Sequence, residues 1–345
     1  MRSVVAQQQQ PSTTLPRSSN SSDLLRDVEA RMTALCGSDE LVGRIAGEQL
    51  ANGGKRIRAR VALEAADALG VDARDAVGWA TAVELLHNAT LVHDDVQDGD
   101  IFRRGRHTAW ALHGVPQAIN AGDLLLVLPA AAIDEVRADA GVRLGLTMAL
   151  FRRAAATVRG QGADLRLRAA VDESDDVVAA YLNCIEGKTG ELFALPVEGA
   201  LLLSGRTRAD AVHFSLPFFR LGVLFQMQDD VLDLFGDKGR DARGSDIREG
   251  KISALVVEHL RLHPGDSDFV LGILDTPRET TTQAQVDDLI RRFDEEGAKD
   301  AVLARIESLC TLAHHEALPA LRPLVLELVG RVLAPIQHCF GARSA

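Results

Sequence analysis

Long stretches in which apolar residues recur every three or four positions make up most of this 345-residue chain. They lie at about 57–70, 76–93, 120–135, 141–159, 174–203, 207–235, 252–262, 285–296, 298–316 and 319–339. This spacing predicts amphipathic α-helices, and no segment shows the pattern of a β-hairpin or a βαβ unit. Aromatic residues make up only 4% of the chain although 46% is hydrophobic, which favours aliphatic helix packing over a β-sandwich. The sequence therefore predicts an all-α fold.

Two segments depart from the helical pattern. Residues 1–21 are rich in Gln, Ser, Thr and Pro, so we predict a disordered N-terminal tail. Residues 263–284 are predicted to be an irregular surface excursion. Because no long linker interrupts the rest, residues 22–345 are expected to form a single helical domain.

Composition also limits the partners and the cellular setting. The formal net charge is -11 and no Lys/Arg-rich block is present, so binding to nucleic acid is not expected. The N-terminus lacks the apolar core of a signal peptide, and no apolar run reaches the length of a transmembrane segment. Four scattered cysteines without a CxxC pair are predicted to be reduced thiols of a cytoplasmic protein; they are Cys36, Cys184, Cys310 and Cys339.

The pattern DDxxD occurs twice, each time at the C-terminal end of an apolar helical stretch. The first bank is Asp94, Asp95 and Asp98, and the second bank is Asp229, Asp230 and Asp233. Residues four apart share a helix face, and acids near a helix C-terminus oppose the macrodipole unless a cation offsets them. Six carboxylates lining one cavity could not all stay ionised without cations. Ligands that offer only oxygen favour a hard ion, so the two banks predict a Mg²⁺ site.

Plainer interpretations of a single bank remain open. Such acids could cap a helix or lie on a solvated face, and for one bank alone this would be as good an explanation as a metal site. An EF-hand is disfavoured because "DVQDGD" lacks the alternating aspartates of that loop and its surroundings are helical. The recurrence of the same pattern on two helices favours two facing helices around one cavity.

Basic residues occur next to glycines and next to the banks. They are Lys55, Arg56 and Arg58 in "NGGKRIR", Arg103, Arg104 and Arg106 in "FRRGR", Lys188 in "EGKTGE" and Lys251 in "REGKIS". Each alone would be an ordinary surface residue, but beside the banks they predict Mg²⁺ bridging to a phosphorylated substrate. A P-loop is rejected at "GSDIREGKIS", because five residues separate its glycines instead of four and no strand precedes it.

An ordered set of motifs points to one family. The motifs are "GGKRIR", "ELLHNATLVHDDVQDGDIFRRGRHT", "AGDLLL", "GQGADL", "GKTGELF", "FQMQDDVLD" and "GSDIREGK", between about residues 50 and 255. In this order they resemble the trans-prenyl diphosphate synthases, or polyprenyl synthetases, of the geranylgeranyl or longer-chain type. The resemblance implies the isoprenoid-synthase fold, a barrel of mostly antiparallel helices around a deep central cavity, and a homodimer.

The resemblance also implies a reaction. Members of this family condense isopentenyl diphosphate head-to-tail with an allylic diphosphate of C5 to C15 or longer, using three Mg²⁺ ions per active site. The allylic diphosphate ionises, isopentenyl diphosphate attacks the cation, and a proton is lost. No protein nucleophile is required, in keeping with the absence of a Ser/His/Asp or Cys/His arrangement in the motifs.

Residue roles follow from the same resemblance. Asp94, Asp98 and Asp229 match the principal metal ligands, and Asp95, Asp230 and Asp233 match residues that support them directly or through water. Arg103, Lys188 and Lys251 match positions that hold the allylic diphosphate, and Lys55, Arg58, His87 and Arg104 match those that hold isopentenyl diphosphate. Thr189 and Gln226 match polar groups beside the developing cation.

Two departures bear on activity and product. The family normally has Gly-Lys shortly before Gly-Ser-Asp, where this chain has Arg240-Asp241, so binding of the allylic diphosphate is in question there. Ala89 and Thr90 are small where short-chain members have aromatics, which predicts a product of C20 or longer, unless the floor of the cavity lies elsewhere.

Two alternative functions stay open. One is a class I terpene cyclase on the same scaffold, which the intact isopentenyl motifs argue against. The other is a non-catalytic subunit of a heteromeric synthase, which the complete banks argue against.

Overall fold

The structure, a computed structural model, describes residues 21–37, 39–173, 176–236 and 243–343, and its regular elements are almost all helices. The first are α1 (Ser21–Cys36), α2 (Leu41–Ala51), α3 (Ile57–Ala68), α4 (Ala73–Asp98), α5 (Ala109–His113), α6 (Val115–Val127), α7 (Pro129–Asp134), α8 (Ala140–Asp164) and α9 (Leu167–Glu173). Then come α10 (Val177–Ile185), a π-helical turn (Glu186–Gly190), α11 (Glu191–Leu203), α12 (Arg208–Phe235) and α13 (Ser245–Arg248). The chain continues through α14 (Ala254–Leu262), α15 (Ser267–Leu274), α16 (Gln283–Glu295), α17 (Ala298–Glu316) and α18 (Arg322–Leu333).

Short elements complete the described chain. Three 3₁₀ segments span Pro264–Asp266, Pro319–Leu321 and Ala334–Arg343. A two-residue hairpin pairs β1 (Phe102–Arg103) with β2 (Arg106–His107) in antiparallel register just after the first bank. The sequence did not predict this hairpin, but the all-α fold predicted from the helical spacing is confirmed.

The two helices that carry the aspartate banks are long and have clear ends. Helix α4 begins where the Asp72 side chain accepts a hydrogen bond from the backbone N–H of Arg74, and it ends at Gly99 in the left-handed region. Helix α12 begins where the Thr207 hydroxyl accepts from the backbone N–H of Asp210, and it ends before Gly236. Both banks therefore lie within the last turns of their helices, as the sequence predicted.

Helix α11 is the central element that the bank helices pack around. It contacts α3, α4, α8 and α12, and every residue from 192 to 202 is buried. The Trp79 indole of α4 donates to the carbonyl of Pro196 at 2.9 Å and lies where a side chain on Gly199 would otherwise sit. The buried apolar side chains form one cluster from Leu25 to Ile336. This arrangement brings α4, α8 and α12 around one shared helix.

Several sequence predictions need correction or qualification. The segment 263–284 is not a structureless excursion, because Ser267–Leu274 is helical and buries Val270, Leu271, Ile273 and Leu274. The Pro, Gly and Thr residues on both sides obscured this short amphipathic pattern. The predicted helix over 174–203 contains the π turn, and the last predicted helix is replaced after Leu333 by a 3₁₀ segment. Of the predicted tail over 1–21, residues 1–20 lie outside the described residues, and Ser21 is the first residue of α1.

One helical stretch of the described chain has the length and apolar composition needed to cross a membrane. It is Val115–Asp134, which comprises α6 and α7. Core helices of globular proteins pass the same test, so length and composition alone carry no conclusion here.

Candidate active site

The first bank combines one deeply buried carboxylate with two more accessible ones. Asp95 is 1% exposed, whereas Asp94 is half-buried and Asp98 is exposed. One oxygen of Asp95 accepts a hydrogen bond from Arg103 Nε at 2.5 Å, and the other is buried without a partner among the described residues. Burial raises the pKa of Asp95 to about 6, although Arg103 opposes the shift. An unpaired buried oxygen is what a bound cation would satisfy.

Asp94 and Asp98 lie in an environment that disfavours their charge. Although the Asp98 side chain reaches solvent, partial burial raises the pKa of both carboxyl groups above the usual range. Asp98 raises the pKa of Asp94 further, and Asp100 does the same for Asp98. The Lys188 ammonium opposes this shift at both residues, and Lys251 opposes it at Asp98. Carboxylates with raised pKa values at the end of a helix are stabilised most by a nearby cation.

The three aspartates of the second bank differ in burial and in their hydrogen-bond partners. Asp230 is buried, and one oxygen accepts from the Tyr181 hydroxyl and the backbone N–H of Ala254, both at 2.7 Å. Its other oxygen accepts from Gln226 at 3.3 Å. Burial raises the pKa of Asp230 to about 7, although these three hydrogen bonds lower it. Both oxygens of Asp230 therefore accept hydrogen bonds from the protein, and these bonds join α12 to α10 and to the start of α14.

Asp233 plays a similar part, whereas Asp229 is half-buried. The Asp233 carboxylate accepts from the Ser245 hydroxyl at 2.6 Å and from the backbone N–H of Asp246 at 3.0 Å. These contacts hold the first turn of α13 against the end of α12. Because Lys251 follows α13 closely, Asp233 also helps to place that lysine.

Two lysines connect the surroundings of the banks. Lys188 forms an ion pair with Asp164 of α8 at 2.7 Å, and Lys251 forms ion pairs with Glu249 at 2.7 Å and Asp246 at 3.5 Å. Burial alone would lower the pKa of Lys188, but Asp164, Asp94 and Asp98 raise it above its usual value. Lys251, held beside the second bank, also acts electrostatically on Asp98. The structure therefore brings the first bank, Lys188 and Lys251 into one site.

A second group of predicted residues gathers around His87, about two helical turns before Asp94 on α4, and Arg58 of α3. Arg58 Nη1 lies 3.0 Å from His87 Nε2, and its guanidinium stacks over the Phe193 ring with 5.1 Å to the centroid. Burial lowers the pKa of Arg58 to about 10, although Glu84 and Asp94 raise it. Burial and the neighbouring arginines hold the pKa of His87 well below 6.5, so His87 is neutral at pH 7. The site thus has a charged group and a neutral one side by side.

The glycine loop before α3 is held to this group by two arginines. Arg104 donates to the carbonyl of Gly53, and its guanidinium occupies the space beside Gly54. Arg56 is buried with left-handed backbone, and it forms ion pairs with Glu84 at 3.4 Å and Glu29 at 3.1 Å. Arg56 therefore supports the loop from inside, which its place among the predicted anion-binding residues did not indicate. Lys55 and Arg106 are exposed on the same two segments.

Thr189 and Gln226 form the start of a hydrogen-bonded chain that ends in the second bank. The Thr189 hydroxyl donates to Gln226 Oε1 at 3.3 Å, and the Gln226 amide donates to Asp230. Ala89 is fully buried, and the Thr90 hydroxyl donates to the carbonyl of His87 within its own helix. Thr90 is therefore satisfied by α4 itself, as an ordinary helical threonine would be.

Two residues of this site were not singled out from the sequence. Asp164, the partner of Lys188, lies in "GQGADL", and Tyr181, the donor to Asp230, lies seven residues before Lys188. Neither spacing predicts a contact, because the partners sit on different helices. Asp241, together with Lys238 and Arg240, lies outside the described residues.

Comparison with known proteins gives concordant results. The family model for polyprenyl synthetases matches residues 39–293. The chain is 31% identical over 241 residues to a short chain isoprenyl diphosphate synthase of Methanocaldococcus jannaschii, covering 69% of this chain and 72% of that protein. It is 36% identical over 221 residues to a geranylgeranyl pyrophosphate synthase of Geoglobus acetivorans, covering 62% and 67%.

Solved structures extend the likeness to the whole fold. A geranylgeranyl pyrophosphate synthase superposes with a TM-score of 0.80 at 26% identity, covering 90% of this chain and 97% of that chain. The geranylgeranyl pyrophosphate synthetase of Pyrococcus horikoshii superposes with a TM-score of 0.78 at 27% identity, covering 88% and 95%.

Proposed function

The chain belongs to the polyprenyl synthetase family and is a trans-prenyltransferase, and from that premise we propose its substrates and site. We propose that it condenses isopentenyl diphosphate with an allylic diphosphate of C5 to C15 or longer, giving an all-trans prenyl diphosphate. The observation that carries this proposal is the pairing of two groups: the first bank with Lys188 and Lys251 nearby, and the Arg58–His87 pair, whose histidine lies about two turns before Asp94. A site for one diphosphate thus lies beside a site for a second.

We propose that Asp94, Asp98 and Asp229 supply the direct ligands for Mg²⁺, with three ions per site. Asp95, Asp230 and Asp233 orient the surrounding segments or bind through water. The oxygen-only donor set and the unpaired buried oxygen of Asp95 fit a hard cation. When bound, Mg²⁺ would supply electrostatic stabilisation of the departing diphosphate.

The remaining predicted residues then have consistent roles. Arg103, Lys188 and Lys251 hold the allylic diphosphate and neutralise its charge as it leaves. Lys55, Arg58, His87 and Arg104 hold isopentenyl diphosphate, with His87 neutral and thus able both to accept and to donate a hydrogen bond. Thr189 and Gln226 present polar atoms beside the developing cation. The proton lost after attack passes to the departing diphosphate, so no tuned protein base is needed.

The product length and the assembly are part of the same proposal. The small side chains of Ala89 and Thr90 support a product of C20 or longer. A homodimer is supported by an exposed apolar stripe at heptad-like spacing along α8, formed by Leu144, Met148, Phe151, Val158 and the C-cap residue Leu165. A second copy of the chain could cover this stripe with its own, because a twofold interface pairs the same surface with itself.

We propose further that residues 22–345 form a single domain and that the protein is cytoplasmic. The one continuous apolar cluster supports a single domain for residues 22–345. The four cysteines are free thiols, three of them buried, which supports a reducing compartment.

One assay tests the reaction against the two alternatives. Purified protein is incubated with Mg²⁺, isopentenyl diphosphate and each of the C5, C10, C15 and C20 allylic diphosphates, and products are analysed before and after phosphatase. Elongated alcohols that appear only after phosphatase support the proposal. Hydrocarbons formed from an allylic substrate alone would indicate a cyclase. A lack of turnover until a partner chain is added would indicate a non-catalytic subunit.

A matched pair of variants ties the activity to the first bank. Asp98→Asn removes a proposed metal ligand and is expected to lower kcat by on the order of 100-fold. Asp172→Asn changes an exposed carboxylate on α9, outside both banks, and is expected to stay within about threefold of wild type. Equal losses in both variants would contradict the assignment of Asp98.

A further inference from the structure

The backbone of the π turn touches helix α8 directly. A side chain on Gly160 would come within 2.3 Å of the backbone nitrogen of Lys188, and one on Gly187 would come within 2.7 Å of Gly160 Cα. Such distances leave room only for glycine at both positions. A π turn carries an extra residue and therefore redirects the side chains within it. The contact between Gly160 and Gly187 therefore fixes the backbone of the π turn, and with it the direction of the Lys188 side chain.

Asp164 lies one helical turn beyond Gly160 on the same face of α8. Its Oδ2 accepts from Lys188 Nζ at 2.7 Å, and its Oδ1 accepts from the Cys184 thiol at 3.2 Å. Both carboxylate oxygens therefore accept a hydrogen bond, and the charge-assisted one from Lys188 is the stronger. The backbone crossing and the ion pair act on the same lysine from two sides.

We infer that Asp164 is a positioning residue that holds the Lys188 ammonium over the first bank. An ammonium has three N–H donors. Asp164 engages one of them, which leaves two for the oxygens of a diphosphate bound at Asp94 and Asp98. The inference deepens the proposed function and rests on it, since a diphosphate is the ligand that Lys188 would be held for.

An exposed ion pair of ordinary kind would predict something different. Solvent-exposed pairs contribute little and tolerate the loss of one partner. Lys188 and Asp164 are both partly shielded, with side chains 28% and 37% exposed, and Lys188 also interacts with Asp94 and Asp98. Losing Asp164 should therefore free the lysine to turn toward the carboxylates of the first bank and away from a substrate.

A double-mutant cycle on Asp164→Asn and Lys188→Gln tests the inference. Two quantities are measured: the affinity for inorganic pyrophosphate in Mg²⁺ by calorimetry, and kcat and KM for each substrate. Asp164→Asn is expected to weaken pyrophosphate binding and to lower kcat by roughly tenfold. The KM for isopentenyl diphosphate should not change. In the Lys188→Gln background, Asp164→Asn should have no further effect, because a positioning residue acts only through the residue it positions.

The outcomes separate the inference from its rivals. Independent, additive losses would overturn it, and so would a change confined to the Mg²⁺ concentration required, which would make Asp164 a metal-site carboxylate instead. Asp164→Glu, which keeps the charge, should recover part of the pyrophosphate affinity. A wild-type protein that elongates no substrate would contradict the proposed function, but the double-mutant cycle on pyrophosphate affinity would still test the inference. An active wild type with an additive cycle would overturn the inference alone.

Two controls isolate the ion pair. Cys184→Ala removes the second contact of Asp164 but keeps Lys188, and pyrophosphate affinity should stay within about twofold of wild type. Asp172→Asn breaks an i,i+4 pair with Arg168 on α9, a surface pair away from the banks, and should change neither quantity. Thermal unfolding of each variant verifies that the fold is retained.

Discussion

Asp230 is part of a DDxxD pattern, yet its surroundings differ from those of the corresponding residue in the first bank. Asp95 has one oxygen without a partner among the described residues, whereas both oxygens of Asp230 accept hydrogen bonds from the protein. The family resemblance gave Asp95 and Asp230 the same supporting role, and the sequence could not separate them because the donors to Asp230 come from α10 and the start of α14. A motif specifies spacing along one helix, and the partners of its members depend on the neighbouring helices.

The raised pKa of Asp230 has a consequence for stability. Its folded pKa of about 7 lies above the unfolded value of 3.8, so the folded state binds the proton more tightly. The resulting stabilisation is fully present below about pH 4 and is lost as the pH rises through 7. The substitution Asp230→Asn removes this pH-dependent stabilisation. We expect that in EDTA the melting temperature of wild type, relative to Asp230→Asn, falls between pH 5 and pH 8.5.

Calorimetry across that pH range, with and without Mg²⁺, makes the measurement. Asp100→Asn serves as the control for the loss of one carboxylate, since that side chain is exposed, and its curve should run parallel to wild type. Parallel curves for wild type and Asp230→Asn would contradict the prediction. Added Mg²⁺ should raise the melting temperature of wild type most at high pH, where the carboxylates are ionised.

Among single elements, the sequence located the helices with long apolar patterns and missed those with short ones. Helices α4 and α12 were located within a few residues, because long apolar patterns and glycines at their ends are both visible in the sequence. Helix α15 was missed because its pattern covers only eight residues between turn-rich segments. The π turn was missed for another reason. It lies where Gly160 and Gly187 approach each other closely, and no local sequence pattern encodes a contact between two separate elements.

Helix α4 also carries a prediction about product length. Ala89 lies five residues before Asp94, about 7.5 Å deeper along the helix, and is fully buried. If the growing chain runs along this face, Ala89→Phe fills the space it needs, and the product should become shorter by at least one C5 unit. Chromatography of the dephosphorylated products gives the length distribution.

The same substitution on the opposite face of α4 provides the matched control. Ala80 is also fully buried, and nine residues place it on the far side of the helix from Ala89. Ala80→Phe should cost stability through overpacking without shortening the product. A wild-type product distribution in a folded Ala89→Phe protein would place the floor of the cavity elsewhere.

For the molecule as a whole, the order of motifs predicted the family and the all-α fold, while the assembly of the site required the tertiary structure. Lys251 follows the second bank in the chain, yet its charge acts on Asp98 of the first bank. Arg56 was grouped with the anion-binding cations because of its neighbours in sequence, but it is buried and paired with Glu84 and Glu29. In both cases the deciding contact joins residues that are far apart in the chain.

The apolar stripe along α8 is exposed in the described chain. Exposed apolar side chains at heptad-like spacing cost free energy in water, and pairing with the same stripe of a second copy would remove that cost.

The double substitution Met148→Glu and Phe151→Glu places two charges in the middle of the stripe. We expect wild type to sediment as a dimer at micromolar concentration and this variant as a monomer, because buried unpaired carboxylates oppose association. Leu312→Glu alters a comparably exposed leucine on α17 and should leave the dimer intact. A monomeric wild type, or a variant that remains dimeric, would show that this stripe is not the interface.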